Sequence, residues 1–146
     1  MSPKVQEAVD LFEQRFNCSQ AIFATYSPEF GVDRETALKV ACGFGGGMRM
    51  GETCGAVTGA FMVIGLKYGC TEAGDNEQEF RTYEMVKTFA KEFTARNDSV
   101  CCKDLLGCDI SSDEGVQKAV DEGLFRSVCP KVVRDAAEIL EQMIGV

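Results

Sequence analysis

Apolar residues recur at helical spacing along most of the chain, and no segment alternates convincingly between apolar and polar residues as a half-buried strand would. The N-terminal segment illustrates the pattern. Ser2 and Pro3 suit an N-cap and a first helical position. Val5, Val9 and Phe12 then fall on one helical face. The sequence therefore predicts an all-α fold.

Capping residues and glycine or proline breakers divide this pattern into successive helices. The predicted starts after the first helix are Asn17, Asp33, Thr53, Asp75 or Asn76, Ser99, Ser111 or Ser112, and Cys129 before Pro130. No segment has the composition of a linker, and no internal repeat is present. With 146 residues, we expect a single domain spanning 1–146, a bundle of about five main helices plus short helices.

A glycine-rich segment, GFGGGMRMG at 43–51, precedes the most apolar helix. It lacks the G-x-x-x-x-G-K-[ST] pattern of a phosphate loop, and no predicted strand leads into it. We instead expect a positional role, in which the glycines allow positive φ and close backbone contacts and so bring Cys54 into the interior. The glycines to which we assign this role are Gly43, Gly45, Gly46 and Gly47.

The helix after this segment is expected to be buried and closely packed. It carries 13 residues without a charge, from Cys54 to Leu66, whereas a membrane span needs about 20. Gly55 and Gly59, with Ala56 beside the first, give small residues at a four-residue spacing that allows helix backbones to approach. We therefore predict a core helix and no membrane partner.

Charge and composition limit the classes of partner. The formal net charge is −8, from 15 basic and 23 acidic residues. Nucleic-acid affinity comes largely from lysine and arginine on phosphates, so an acidic chain argues against it, and equally against anionic membrane surfaces. Residues 1–16 form an amphipathic pattern without the continuous apolar core of a secretory signal. We expect a cytoplasmic protein, in which thiols stay reduced.

The candidate chemistry lies in the cysteines, because the chain has eight of them and no histidine. Four fall in the cap or first turn of a predicted helix. These are Cys18, Cys54, Cys102 and Cys129. A helix N-terminus offers unpaired N–H groups and the positive end of the dipole, which favour the thiolate, both the nucleophile and the metal ligand. Lys103 and Lys131 lie beside two of these positions and would act in the same direction if they point inward.

The other cysteines have less favourable positions, and no role is assigned to them from the sequence. They are Cys42, Cys70, Cys101 and Cys108. Cysteine is among the most buried residue types, so burial without chemistry is an alternative for any of the eight. Glu52 and Asp104 stand next to the helix starts and are candidate proton carriers for a neighbouring thiol.

Three interpretations remain open from the residues. Without histidine there is no Cys-His dyad, and without C-x-x-C there is no zinc ribbon or thioredoxin-type site. The four cysteines at helix starts suit thiol–disulfide exchange, in which a low-pKa thiol needs a resolving partner. They equally suit an iron–sulfur cluster or, second to that, zinc. The third interpretation is a structural or interaction protein with inert buried cysteines.

Several motifs resemble a bacterial and archaeal family of redox-active proteins known by the cysteine pattern C_GCAxxG_C_C. The motifs are FNCSQAIF, FGGGM, TCGAVTGAFMVIGLKYG, CKDLLG and CPKVVRDAAEILE. The resemblance extends from about residue 5 to 142 and places the family's four cysteines at Cys18, Cys54, Cys102 and Cys129. It implies a redox role for them. Some relatives carry haem-attachment sequences, but this chain has no C-x-x-C-H, which excludes haem c.

Together these observations predict a redox protein in which the four cysteines converge at one partly shielded site. Cys54, between the glycine segment and the closely packed helix, is our choice for the reactive thiolate. The redox partner and any cofactor stay unidentified at this level. Self-association into a homodimer is compatible with an all-α domain of this size.

Overall fold

The computed structural model describes residues 1–146 and contains α-helices but no β-strands. The helices are α1 (Pro3–Glu13), α2 (Cys18–Tyr26), α3 (Arg34–Ala41), α4 (Gly55–Tyr68), α5 (Asn76–Asn97), α6 (Cys102–Leu106), α7 (Asp113–Asp121), α8 (Leu124–Ser127) and α9 (Cys129–Ile144). The all-α prediction is confirmed. The expected count of about five main helices is loose, because seven helices have eight or more residues.

Most helix starts lie where the capping residues predict them. Each of five cap side chains accepts a hydrogen bond from a backbone N–H three residues later, which satisfies one of the free donors of the first turn. The five caps are Ser2, Asn17, Asp33, Asp75 and Ser112. At Asn17 the arrangement is a full capping box, since the Gln20 side chain also accepts from the Asn17 N–H.

Two predicted caps are wrong, Thr53 for α4 and Ser99 for α6. The structure instead begins these helices after Cys54 and Cys101. The reason is a pairing that the local sequence does not show: Thr53 and Cys101 form a single antiparallel bridge. Both backbones must be extended at the bridge, so neither helix can begin before it.

The core centres on α2 and α4, which pack closely through the predicted small residues. A Cβ at Gly55 would lie 3.0 Å from the Ser19 backbone nitrogen, and one at Gly59 would lie 3.0 Å from the Ser19 carbonyl oxygen. The glycines therefore allow the two backbones to touch. Helix α9 closes the core from the other side, in contact with α1, α2, α4 and α5. None of the helices combines the length and apolarity needed to cross a membrane.

The glycine segment differs from expectation in which residues take positive φ. Gly46 and Gly47 do so, but Gly43 and Gly45 do not. Met48 and Arg49 follow at φ 58° and 57° and complete a run of four left-handed residues, although this conformation costs roughly 1–2 kcal/mol for a residue with a side chain. Gly45 is instead required by space, because a Cβ there would lie 2.5 Å from the Asn17 side chain.

Candidate functional site

A cavity of about 190 Å³ lies where the starts of α2, α4, α6 and α9 meet. Its walls include the four cysteines that the sequence placed at helix starts: Cys18, Cys54, Cys102 and Cys129. Each of them is buried, and all are free thiols. The fold therefore brings together four residues that are separated by up to 111 positions in the chain.

The start of α2 is fixed by hydrogen bonds on both sides of Cys18. Asn17 Oδ1 accepts from the Gln20 N–H at 2.9 Å and holds the first turn. Asn17 Nδ2 donates to the Cys42 carbonyl at 2.9 Å, which ties the helix start to the residue just before the glycine segment. Cys18, as the first helical residue, is thereby held against the cavity.

The Thr53–Cys101 bridge sets Cys54 and Cys102 side by side. The Cys54 N–H donates to the Val100 carbonyl at 2.7 Å, and the Cys102 N–H donates to the Glu52 carbonyl at 2.6 Å. Each cysteine follows the bridge directly and stands at the start of a helix, Cys54 as the N-cap of α4 and Cys102 as the first residue of α6. Two helix starts 48 residues apart are thus locked in register by main-chain hydrogen bonds.

Cys129 completes the set from the C-terminal helix. It is the first residue of α9, with Pro130 at the second position, where a missing N–H costs nothing. Only Val128, in helical geometry, separates α9 from the short helix α8. This short helix was not predicted as a separate element.

The hydrogen bonds among the sulfurs distribute charge unequally. The Cys18 thiol is hydrogen bonded to Cys129 and Cys54, and these contacts, together with burial, raise the pKa of Cys18 well above its ordinary value. The pKa of Cys54 is lowered, first by the hydrogen bond from Cys18 and, against the effect of burial, by the N–H groups of Ala56 and Val57. Cys18 is therefore the neutral donor and Cys54 the sulfur that favours negative charge.

Neither Cys18 nor Cys102 follows the prediction that a helix start lowers a cysteine pKa. Burial, and next the negative charge of Cys54 and Cys129, raise the pKa of Cys102 to about 12. Helix α6, which Cys102 begins, has only five residues, and its N-terminus does not offset these effects. Nor do the neighbouring cations compensate, because Lys103 lies 3.8 Å from the Glu52 carboxylate and Lys131 lies 2.7 Å from the Asp135 carboxylate. Neither lysine lines the cavity.

The remaining cavity wall is apolar except at one side. The apolar side chains are Phe12, Leu105, Leu106, Ile110, Phe125, Val128 and Val132. At the other side, Arg49 and Cys42 line the cavity and are exposed, so the site reaches solvent there. Arg49 is a site residue that the sequence reasoning missed. Its one signal was that it is the single charged residue among the nine of the glycine segment.

The cysteines outside the predicted set have separate positions. Cys42 lines the cavity mouth. The Cys101 thiol donates to the Gly51 carbonyl and the Cys108 thiol to the Gly115 carbonyl, both at 3.2 Å, and Cys70 is exposed. Donation to a carbonyl requires the protonated thiol, so neither contact favours a nucleophile.

The two candidate proton carriers also lie outside the cavity. Glu52 pairs with Lys103, and the Asp104 carboxylate accepts from the Ser99 hydroxyl at 2.8 Å. Both side chains are exposed. They hold the segment around the bridge rather than face a sulfur.

A donor set of four thiols suits iron–sulfur or zinc chemistry, provided that the sulfurs lie at the corners of one coordination site. No group of three or more cysteine, aspartate or glutamate side chains in the structure is arranged to hold a metal ion. The four sulfurs line one cavity, but they are not arranged as the ligands of one metal ion.

The sequence model of one protein family matches residues 16–143, which include all four cavity cysteines. Its description is "Putative redox-active protein (C_GCAxxG_C_C)". The chain belongs to this family. The description writes glycine before the second cysteine, whereas here Cys54 precedes Gly55 in C-G-A-x-x-G. No curated protein and no solved structure matches the chain at a significant level.

Proposed function

We propose that this member of the redox-active family carries out thiol–disulfide exchange, with Cys54 as the attacking thiolate and Cys18 as the resolving thiol. The observation that carries the proposal is that Cys54 caps the N-terminus of α4 inside the cavity that Cys18 also lines, and Cys18 and the Ala56 and Val57 N–H groups lower the pKa of the Cys54 thiol. A thiolate needs donors, and a resolving thiol must lie next to it. In the proposal, the Cys18 thiol meets both requirements.

The exchange uses a disulfide substrate as oxidant. The Cys54 thiolate attacks one sulfur of the substrate, the substrate S–S bond breaks, and the departing sulfur leaves as a thiolate with the electron pair. Cys18 then transfers its proton to a departing thiolate and attacks the mixed disulfide at Cys54. The products are a Cys18–Cys54 disulfide, one substrate thiol and one substrate thiolate, so the pair loses two electrons and the substrate gains two.

The volume of the cavity limits what reaches Cys54. Pockets for drug-sized ligands occupy roughly 300–1,000 Å³. The space of about 190 Å³ beside the thiols suits a small disulfide or one side chain of a partner. Cys102 and Cys129 enclose this space as further sulfurs, available to receive the disulfide from Cys18 in a later exchange.

The pH dependence of alkylation at individual cysteines tests the role of Cys54. With iodoacetamide and peptide mass spectrometry, Cys54 should react with a midpoint below that of exposed Cys70 in the same sample. Comparing midpoints removes the effect of unequal access. The matched controls are Cys54→Ser and Cys108→Ser, since Cys108 is equally buried but lies outside the cavity. Equal midpoints for Cys54 and Cys70 would contradict the proposal and favour inert cysteines.

Mild oxidation and metal content separate this proposal from a metal centre. Oxidised protein should contain a Cys18–Cys54 disulfide, and Cys108→Ser should leave its yield unchanged. Protein purified anaerobically without a tag should contain no stoichiometric iron or zinc by elemental mass spectrometry. Two or four irons, or one zinc, per chain would make the cysteines ligands and overturn thiol exchange.

A further inference from the structure

We propose that Arg49 forms an anion subsite at the mouth of the thiol cavity and selects small disulfides that carry a carboxylate. The inference rests on the proposed function, because it names the substrate class of that site. Among the 17 residues that line the cavity, Arg49 is the single one with a charged side chain. An attacking thiolate and an anion-binding guanidinium then share one small space.

The Arg49 guanidinium is free to bind a ligand. The chain has 23 acidic residues, and eight ion pairs link its cations to carboxylates, yet none of these pairs involves Arg49. No hydrogen bond from its side chain to another protein group is present. An unpaired guanidinium offers five donors in a planar fork, a geometry that matches a carboxylate with two parallel hydrogen bonds.

The other polar side chain at the cavity cannot take this role. The Asn17 amide carries no charge, and its Oδ1 and Nδ2 already hydrogen bond to the Gln20 N–H and the Cys42 carbonyl. The remaining wall is apolar or sulfur. A substrate that enters next to Cys54 therefore meets one strong polar contact, and that contact is cationic.

The backbone places Arg49 at the mouth at an energetic cost. Residues 46–49 all have positive φ, with Arg49 at φ 57° and ψ 14°. Residues with side chains normally enter this conformation singly, and strained conformations of this kind concentrate at functional sites. The Arg49 stem lies over Gly46, where a Cβ would come 3.4 Å from its Cδ. The strained turn thus fixes the start of the side chain beside the cavity.

Two aromatic disulfides that differ in charge test the subsite. The probes are 5,5′-dithiobis(2-nitrobenzoate), which carries two carboxylates, and neutral 4,4′-dithiodipyridine. In each reaction the Cys54 thiolate displaces one aromatic thiolate and forms a mixed disulfide. The initial rate at Cys54 is measured after acid quenching as the sum of its probe adduct and the Cys18–Cys54 disulfide that follows from it. Tandem mass spectrometry locates both, so that exposed Cys42 and Cys70 do not contribute.

Arg49→Asn is the informative variant, because asparagine accepts positive φ more readily than most residues and the turn is retained. We expect it to slow the dianionic probe at Cys54 about tenfold, at the low end of what a hydrogen bond to a charged group contributes, because Arg49 is exposed. The neutral probe should react at the wild-type rate. Arg49→Lys should restore part of the lost rate.

Arg34→Asn is the matched control for net charge, since Arg34 is exposed on α3 and does not line the cavity. Equal slowing by Arg34→Asn and Arg49→Asn would reduce the effect to general electrostatics and overturn the subsite. Slowing of both probes by Arg49→Asn would make Arg49 a support of the thiol geometry and also overturn it. If Cys54 in the wild-type protein acquires neither a probe adduct nor a disulfide to Cys18, the thiol-exchange proposal itself fails, a result distinct from the other two.

Discussion

Thr53 and Cys101 form the one point in the molecule where two extended segments pair, and each is followed directly by a cavity cysteine. The pairing provides the main-chain hydrogen bonds at 2.7 and 2.6 Å that fix Cys54 and Cys102. A helical bundle alone would leave the rotation of each helix start to side-chain packing. The bridge sets it through the backbone.

The contact between α2 and α4 should control both stability and the site. Gly59→Ala places a Cβ 3.0 Å from the Ser19 carbonyl oxygen, so the helices must separate. We expect a loss of about 1–2 kcal/mol in the free energy of unfolding, since overpacking exceeds the gain in helix propensity. Urea unfolding measures this. The control is Gly65→Ala in the same helix, where no atom lies within 4 Å and a gain of roughly 0.5–1 kcal/mol is expected. A stabilising Gly59→Ala would contradict the close contact.

Removal of the Cys18 thiol should raise the pKa of Cys54. The hydrogen bond from Cys18 is the largest cause of the lowered Cys54 pKa, and the burial that opposes it stays in place. In Cys18→Ala, the pH midpoint for alkylation of Cys54 should therefore move upward. Cys18→Ser, which keeps a donor, should move it less. Cys108→Ala, outside the cavity, is the control and should leave the Cys54 midpoint unchanged. If Cys18→Ala also leaves it unchanged, Cys18 does not lower the pKa of Cys54.

Stability should fall in alkaline solution, partly because of Cys102. Its folded pKa of about 12 exceeds the value of 9.0 for a free thiol, so the folded state keeps a proton that the unfolded state releases. The contribution is fully present below pH 9.0 and is lost progressively from there to about pH 12. One such group changes the unfolding free energy by at most about 1.4 kcal/mol per pH unit.

The measurement compares wild type with Cys102→Ala by urea unfolding at pH 8 and pH 10 under reducing conditions. Substitution itself changes stability at both pH values, so the informative quantity is the difference between them. Wild type should lose more stability over this interval than the variant. Equal losses would show that Cys102 does not retain its proton in the folded protein.

Local signals were sufficient for much of the fold. Ser2, Asn17 and Asp33 each cap the helix they were predicted to cap, because a cap acts within three residues of itself. The small residues of α4 likewise predicted a close helix contact, which Gly55 and Gly59 make. In these cases the interaction that fixes the structure lies in the same short segment as its signal.

The predictions that were wrong concern features that are set by interactions between distant segments of the chain. Thr53 and Ser99 have good capping side chains, but a bridge across 48 residues overrides them. Met48 and Arg49 have no local preference for positive φ, so the left-handed turn is imposed by its surroundings. Cys102 lies in the first turn of a helix as predicted, although Cys101 and not Ser99 precedes that helix, and its raised pKa depends on burial and neighbouring sulfurs that only the assembled fold supplies.

The cavity takes its last wall from α9, which begins at Cys129, near the end of the chain. During synthesis, the first 128 residues leave the ribosome before this wall exists. Until the bundle closes, the Cys54 thiol lacks its contact with Cys18, which is tertiary and is the largest cause of its lowered pKa. The reactive sulfur is thus a late product of folding, and a nascent or unfolded chain does not carry it.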